Sequence, residues 1–266
     1  MKHSLQATIL LVLLFFLAHT IGLLVVNHYL EEDLPYNIQK PEIDEQVSYI
    51  PIFIMILLGT ILALILIRFR ANRLWKFWFL FSVVITLSIA FSSFLVSSIA
   101  FILALLLALI RLYKPNPLVH NFTELFIYGG LAAVFVPILN LFSVSILLIL
   151  ISIYDFIAVF KTKHMIKLAK FQTNSKIFTG LSLPYKREKE KKISTAILGG
   201  GDIGFTLLFS GVILKFYSLP SALLVSGITT LALLGLFYYG RKNKFYPAMP
   251  ILSLGCFIGY SLILLL

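Results

Sequence analysis

Asp155 and Asp202 are carboxyls standing in places where a carboxyl is costly. Of the eleven acidic residues in the chain, six (Glu31, Glu32, Asp33, Glu42, Asp44 and Glu45) cluster in one polar connection. Glu188 and Glu190 lie in a lysine-rich run, and Glu124 stands near the start of an apolar stretch, where it can reach an interface. Asp155 and Asp202 are left well inside apolar stretches. An acid at the centre of a bilayer costs about 2.5–3.5 kcal/mol on insertion scales, so such a residue commonly has work to do. Two carboxyls a few ångströms apart do not both ionise easily and share a proton, and their titration belongs to the pair. The ionised member can take a proton from water while the protonated member polarises a carbonyl and later protonates a leaving amine. The same pair could relay protons for a transporter, or bond to backbone and polar neighbours for structure alone.

The neighbours of these acids narrow the choice. Asp202 closes the run Gly199-Gly200-Gly201-Asp202, with Gly204 just beyond. Glycine costs about 1 kcal/mol of helix propensity relative to alanine, so the run is expensive in a plain helix. It reads either as a packing notch or as a loosened helix start that admits a substrate backbone and water. Tyr154 precedes Asp155 and could donate a hydrogen bond at the site or face a neighbouring helix. Pro247-Ala248-Met249-Pro250 makes an extended or kinked approach to the last apolar stretch, although an ordinary helix start also tolerates proline.

The elements that position these residues are membrane helices. The chain has 266 residues, 60% hydrophobic and 12% charged, with a mean hydropathy of +1.00. Soluble domains average about 45–50% apolar and about 25% charged, so a water-soluble enzyme, a disulfide scaffold and a free nucleic-acid-binding domain are excluded. The lone Cys256 has no disulfide partner and no metal-ligand spacing around it. We expect an all-α polytopic protein forming a single nine-span domain over 1–266, with spans at 5–26, 49–67, 74–92, 94–112, 122–139, 141–160, 195–215, 219–240 and 247–266. Phe77 to Ile110 carries no charge, yet as one helix it would run roughly 51 Å against a core of about 30 Å. It must turn back, and Ser92-Ser93 is the expected place. Pro137 and Asn140 mark the corresponding turn between Leu125 and Phe160. The first span is too long for a signal-peptide core and is read as a retained helix.

Charge sets the orientation. Of 22 Lys and Arg, all but Lys40 and Lys215 fall on one side, ten of them in the 161–194 connection. The positive-inside rule places the N-terminus and the 161–194 loop in the cytoplasm and the C-terminus outside. The net charge of +11 is thereby explained by loops facing anionic lipid. In this frame Asp155 lies six residues before Lys161, roughly 9 Å from the cytoplasmic end, and Asp202 eight beyond Ser194, roughly 12 Å. The acids therefore share a depth on successive antiparallel helices. His19 and His28 are read as interface or packing residues. The pattern Asn121-Phe122-Thr123 fits a glycosylation acceptor, but falls on the cytoplasmic side, where it would be unused.

Tyr154-Asp155 in one span, Gly199-Gly200-Gly201-Asp202 in the next, and a Pro-Ala-x-Pro element opening the last of nine resemble the presenilin and signal peptide peptidase family of GxGD intramembrane aspartyl proteases. Tyr154 to Val159 running into a lysine-rich loop looks most like archaeal presenilin-like members, and so implies a prokaryotic plasma membrane. The family's last motif is Pro-Ala-Leu, and Met249 stands here in place of leucine, a similar volume.

The resemblance implies that Asp155 and Asp202 form the catalytic dyad of an endopeptidase cutting transmembrane helices with water and no metal or organic cofactor. It further implies that Tyr154, Gly199, Gly200, Gly201, Pro247, Ala248, Met249 and Pro250 line the substrate cleft. The partners implied are transmembrane-helix substrates and the lipid bilayer, with no nucleic acid and no required accessory subunit. A substrate helix must unwind before its peptide bonds are accessible, and an extended substrate can then pair by strand addition. We expect part of the 161–194 loop, around Ile177-Phe178, to supply the edge. A proton-coupled transporter using the same two acids is the alternative, and an inactive scaffold that binds helices is a third.

Overall fold

The computed structural model of the chain describes residues 4–69, 71–162, 178–187, 190–240 and 246–266. Nine α-helices appear among them: α1 Leu5–Glu31, α2 Tyr49–Arg68, α3 Asn72–Ser92, α4 Ser97–Tyr113, α5 Pro117–Phe135, α6 Leu141–Phe156, α7 Gly200–Phe216, α8 Leu219–Tyr239 and α9 Met249–Leu265. Between α6 and α7 stands an antiparallel hairpin, β1 Gly180–Arg187 and β2 Glu190–Gly199. Six helices are long and apolar enough to cross a membrane, and Ser97–Tyr113 and Met249–Leu265 are shorter apolar helices. The protein is an integral, multi-pass membrane protein.

The helix boundaries follow from local chemistry. Ser4 caps α1 by accepting from the Ala7 N–H. Asn116 caps α5, with Pro117 in the first turn, where its missing N–H costs nothing. At the expected turns, α3 ends at Ser92, and α5 passes through a 3-10 turn, Val136–Ile138, before Asn140 and Ser143 form a capping box that starts α6.

The seventh helix departs from expectation. It begins at Gly200, whereas the apolar pattern placed its start at 195, and the stretch before it is strand. Ile193, Thr195 and Ile197 are β-branched and suit a pleated surface, and the glycines that follow are poor helix formers. A short apolar run does not by itself distinguish a buried strand from a helix. The connection expected as a loop over 161–194 therefore contains β1 and the first half of β2.

Helix α7 is the axis of the bundle. It contacts α1, α5, α6, α8 and α9, and its residues from Thr206 to Leu214 are buried. Leu207, Phe209, Val212 and Ile213 join Leu11, Phe15, Leu147 and Leu252 in the main core. A smaller core joins Val83, Leu87 and Phe91 of α3 to Ala100, Ala104 and Ala108, which repeat every fourth residue along one face of α4. Helix α5 approaches α3 so closely that a Cβ at Gly130 would lie 1.9 Å from the Thr86 carbonyl oxygen. Helix α2 is peripheral, packing on α6 and α3.

The end of α7 opposite the hairpin is tied down by one side chain. Lys215 Nζ donates to the carbonyls of Pro137 (2.8 Å) and Leu139 (3.1 Å) and pairs with Glu45 at 2.9 Å. These are backbone acceptors left over where the chain breaks between α5 and α6.

Candidate active site

Asp155 occupies the last turn of α6, just before a π-helical turn at Ile157–Lys161. It is 8% exposed. Its Oδ2 accepts the backbone N–H of Met249 at 3.1 Å. Helix α9 receives no cap from the side chain of its own N-cap residue, Ala248. The first N–H groups of any helix lack intrahelical partners, and the positive end of the helix dipole favours an anion there. Asp155 thus caps α9 from a different helix. Pro250 removes one further donor that would need a partner. Pro247, Ala248 and Met249 are buried and Pro250 is half-buried.

Asp202 lies in the first turn of α7 and is half-buried. It is not deep within a helix, as the apolar pattern implied, but two residues past the strand-to-helix junction. Gly199 is the extended N-cap of α7, and a Cβ there would stand 3.2 Å from Asp202 Oδ2. Gly200 faces α5: a Cβ on it would lie 2.6 Å from Tyr128 Oη. Gly201 is exposed, and a Cβ on it would meet only the Phe205 ring at 3.6 Å. Behind this turn the Thr206 hydroxyl lies 2.6 Å from the Asp202 carbonyl oxygen and 3.0 Å from His19 Nε2. His19 is fully buried, a packing residue as expected.

Helices α6 and α7 pack on one another, and both pack on α9. Helix α6 runs toward the segment that carries the hairpin and α7 runs away from it. Both acids therefore stand at the same end of the bundle, each within one turn of a helix terminus, with the Pro247–Pro250 element joined to Asp155 by a hydrogen bond. Tyr154 turns its hydroxyl to Thr60 of α2 at 3.2 Å.

A second polar cluster was not foreseen. Arg111 on α4 and Glu124 on α5 form a salt bridge with side chains only 4% and 1% exposed. From the sequence, Arg111 belongs with the basic residues of the cytoplasmic side and Glu124 with the interface. Both are instead interior, because α4 and α5 are antiparallel neighbours that bring the two together. Glu124 also accepts the Tyr128 hydroxyl and, at 2.9 Å, the Gly180 N–H. Arg111 donates to Thr123 Oγ1 and to the Phe178 carbonyl, each at 2.9 Å. His120 Nε2 lies 2.7 Å from the Gly180 carbonyl oxygen, and the Asn121 amide exchanges two 2.9 Å bonds with the backbone of Ser182. The Asn121 pattern read as an unused glycosylation acceptor is therefore part of the hairpin's anchorage. The legible signal was a lone arginine and a lone acid on consecutive apolar stretches, thirteen positions apart.

Fold and site together define a class: a multi-pass helical membrane protein that brings two aspartates to one end of its bundle. The chain belongs to the signal-peptide peptidase, presenilin aspartyl protease family, whose model matches residues 12–266. It is accordingly an intramembrane aspartyl protease, a hydrolase acting on transmembrane substrates in lipid. A transporter reading finds no support there. Two solved structures of a presenilin family intramembrane aspartate protease share the fold. The one in space group C222 has a TM-score of 0.68 at 19% identity, covering 96% of this chain and 97% of the other. The one in space group P2 has a TM-score of 0.65 at 21% identity, covering 95% and 96%. No curated protein matches the chain in sequence.

Proposed function

We propose that Asp155 and Asp202 are the catalytic dyad, sharing one proton between them. The ionised carboxylate takes a proton from water, whose oxygen attacks the substrate carbonyl carbon while the protonated carboxyl donates to the carbonyl oxygen. Collapse of the tetrahedral diol breaks the C–N bond; the departing amine takes the proton that water gave up, one diol hydroxyl returns its proton to the other carboxylate as the product acid forms, and the singly protonated pair is restored. The observation that carries this reading is the placement of both acids at the terminal turns of two packed helices, at the same end of the bundle.

The substrate lies extended along β2, between the Gly199–Gly201 run and the Pro247–Pro250 element. Gly180 and Ser182 of β1 spend their N–H and C=O groups on Glu124, His120 and Asn121, so the outer edge of β1 is covered there. Their partners across the ladder are Gly199 and Ile197, which by the alternation of an antiparallel pair point their own N–H and C=O away from β1. A third strand added to that edge ends beside Asp202. This moves the expected edge. Phe178 precedes β1 with its carbonyl taken by Arg111, and Ile177 lies outside the described residues, as do the lysines between Lys163 and Lys176, the pair Glu188-Lys189 and the basic run 241–244.

The bias of Lys and Arg supports an N-terminus in the cytoplasm and a C-terminus outside, and the likeness of Tyr154 to Val159 to archaeal members supports a prokaryotic cell. The substrate is then a helix with its N-terminus outside, cut toward the cytoplasmic side. The deciding experiment is cleavage of a single-span substrate in liposomes by the wild type, Asp155→Ala and Asp202→Ala. The expected result is cleavage by the wild type alone. Cleavage surviving in either variant sinks the dyad, and preference for the inverted substrate in a matched pair sinks the orientation.

A further inference from the structure

Glu124 stands where three pieces of the site meet. Its Oε2 accepts the N–H of Gly180, the first residue of β1, and also the hydroxyl of Tyr128. Gly180 pairs with Gly199, and the Gly200 N–H donates to the Thr179 carbonyl at 3.2 Å, so the hairpin closes on the first residue of α7. The Tyr128 phenol fills the space over Gly200, where a Cβ would be 2.6 Å from its oxygen and 3.2 Å from its ring. Gly180 has φ of +126°, and a Cβ on it would lie 2.1 Å from the Leu198 carbonyl oxygen. One carboxylate thus touches the base of the hairpin directly and the helix start that bears Asp202 through a tyrosine. Arg111 holds that carboxylate from the other side, its guanidinium set over the Phe79 ring at 5.0 Å and bonded to the Phe178 carbonyl.

A buried ion pair is weak evidence for stability, because apolar replacements of similar volume commonly serve as well. What this pair does that an apolar pair would not is accept a backbone N–H at one register of β1. We propose that Glu124, held by Arg111, is a positioning residue that sets the register of the hairpin against Asp202 and thereby selects which substrate peptide bond meets the dyad. Tyr128 is the companion that seats the Gly200 turn. The proposal rests on the protease reading above.

The test uses the full-length protein in detergent and in liposomes, with Glu124→Gln, the double variant Arg111→Met/Glu124→Leu, and Tyr128→Phe. The double variant removes both charges at once and leaves neither buried alone. Two quantities are read. The first is hydrogen exchange at the Gly180 amide of folded protein, which loses a bond to a charged acceptor and should quicken about tenfold or more in the double variant while α8 amides hold their rates. The second is the ratio of products cut at neighbouring bonds of one single-span substrate. Both Glu124 variants should shift that ratio, whereas Tyr128→Phe should lower kcat with KM and the ratio retained. A purely structural role would reduce the folded fraction and scale all products together. An unchanged product ratio in active variants overturns the proposal, and so does an unchanged Gly180 exchange rate. If the wild type cuts no single-span substrate, the protease reading falls instead, and the exchange rates alone decide whether Glu124 anchors the hairpin.

Discussion

Asp155 and Met249 are joined by one hydrogen bond: the carboxylate of α6 accepts the first helical N–H of α9 at 3.1 Å. The residue proposed for chemistry is therefore also the cap of the last helix. Losing a cap costs about 1 kcal/mol. Asp155→Ala should abolish cleavage and also destabilise the protein by about that amount, while Asp155→Asn keeps an acceptor oxygen and should keep stability but not activity. Thermal unfolding in detergent beside a cleavage assay separates the two effects. Equal melting of both variants would remove the cap from the account.

A dyad that works with one shared proton sets the sign of the pH dependence at both ends. As pH falls, the second carboxyl also gains a proton and no base remains for water. As pH rises, both ionise and no acid remains for the carbonyl. The kcat/KM of cleavage should therefore pass through a maximum. A rate that rose steadily to high pH would contradict a shared-proton dyad.

The three glycines before Asp202 are alike in sequence and unlike in surroundings. Alanine at Gly200 drives a Cβ to 2.6 Å from Tyr128 Oη, whereas at Gly201 it meets only a ring edge at 3.6 Å. Overpacking of this kind costs about 1–3 kcal/mol, so Gly200→Ala should lose roughly tenfold or more in activity. Gly201→Ala should leave the folded stability within about 0.5 kcal/mol, since a surface alanine costs little, so any loss of activity there reports contact with the substrate proposed to lie along this run. The comparison is made on purified protein at matched concentration. A tolerant Gly200 and an intolerant Gly201 would mean that the bare backbone at 201 serves the substrate.

Strand addition to β2 makes Ile197 a sensitive position. Proline there removes an N–H that points away from β1 and breaks no bond of the hairpin, which is where sheets tolerate proline. Ile197→Pro should leave the fold intact by circular dichroism and reduce cleavage of an intact single-span substrate. Unaltered rate and cleavage site would exclude pairing at this edge.

Much of the architecture was legible because each boundary had a local cause. Charge-free length forced the turn after Ser92, and Pro137 with Asn140 forced the next one. The start of α7 was not legible, since the short run from Ile193 to Leu198 suits either conformation and only pairing with β1 makes it strand. The acids, the glycine run and the proline-flanked element could be singled out because each is costly in lipid or in a helix. Arg111 and Glu124 escaped because each has an innocent reading at the end of its own helix, and only the packing of α4 against α5 shows them to be partners.

The Lys215 cross-tie has a mechanical meaning. It fixes α7 to the break between α5 and α6 and to the connection after α1, at the end remote from Asp202. The two residues are thirteen positions apart on one helix, a lever arm of roughly 20 Å. Over that length each degree of tilt about the tied end would carry the carboxylate roughly a third of an ångström. The spacing of the proposed dyad is thus tied to a lysine at the other end of the same helix.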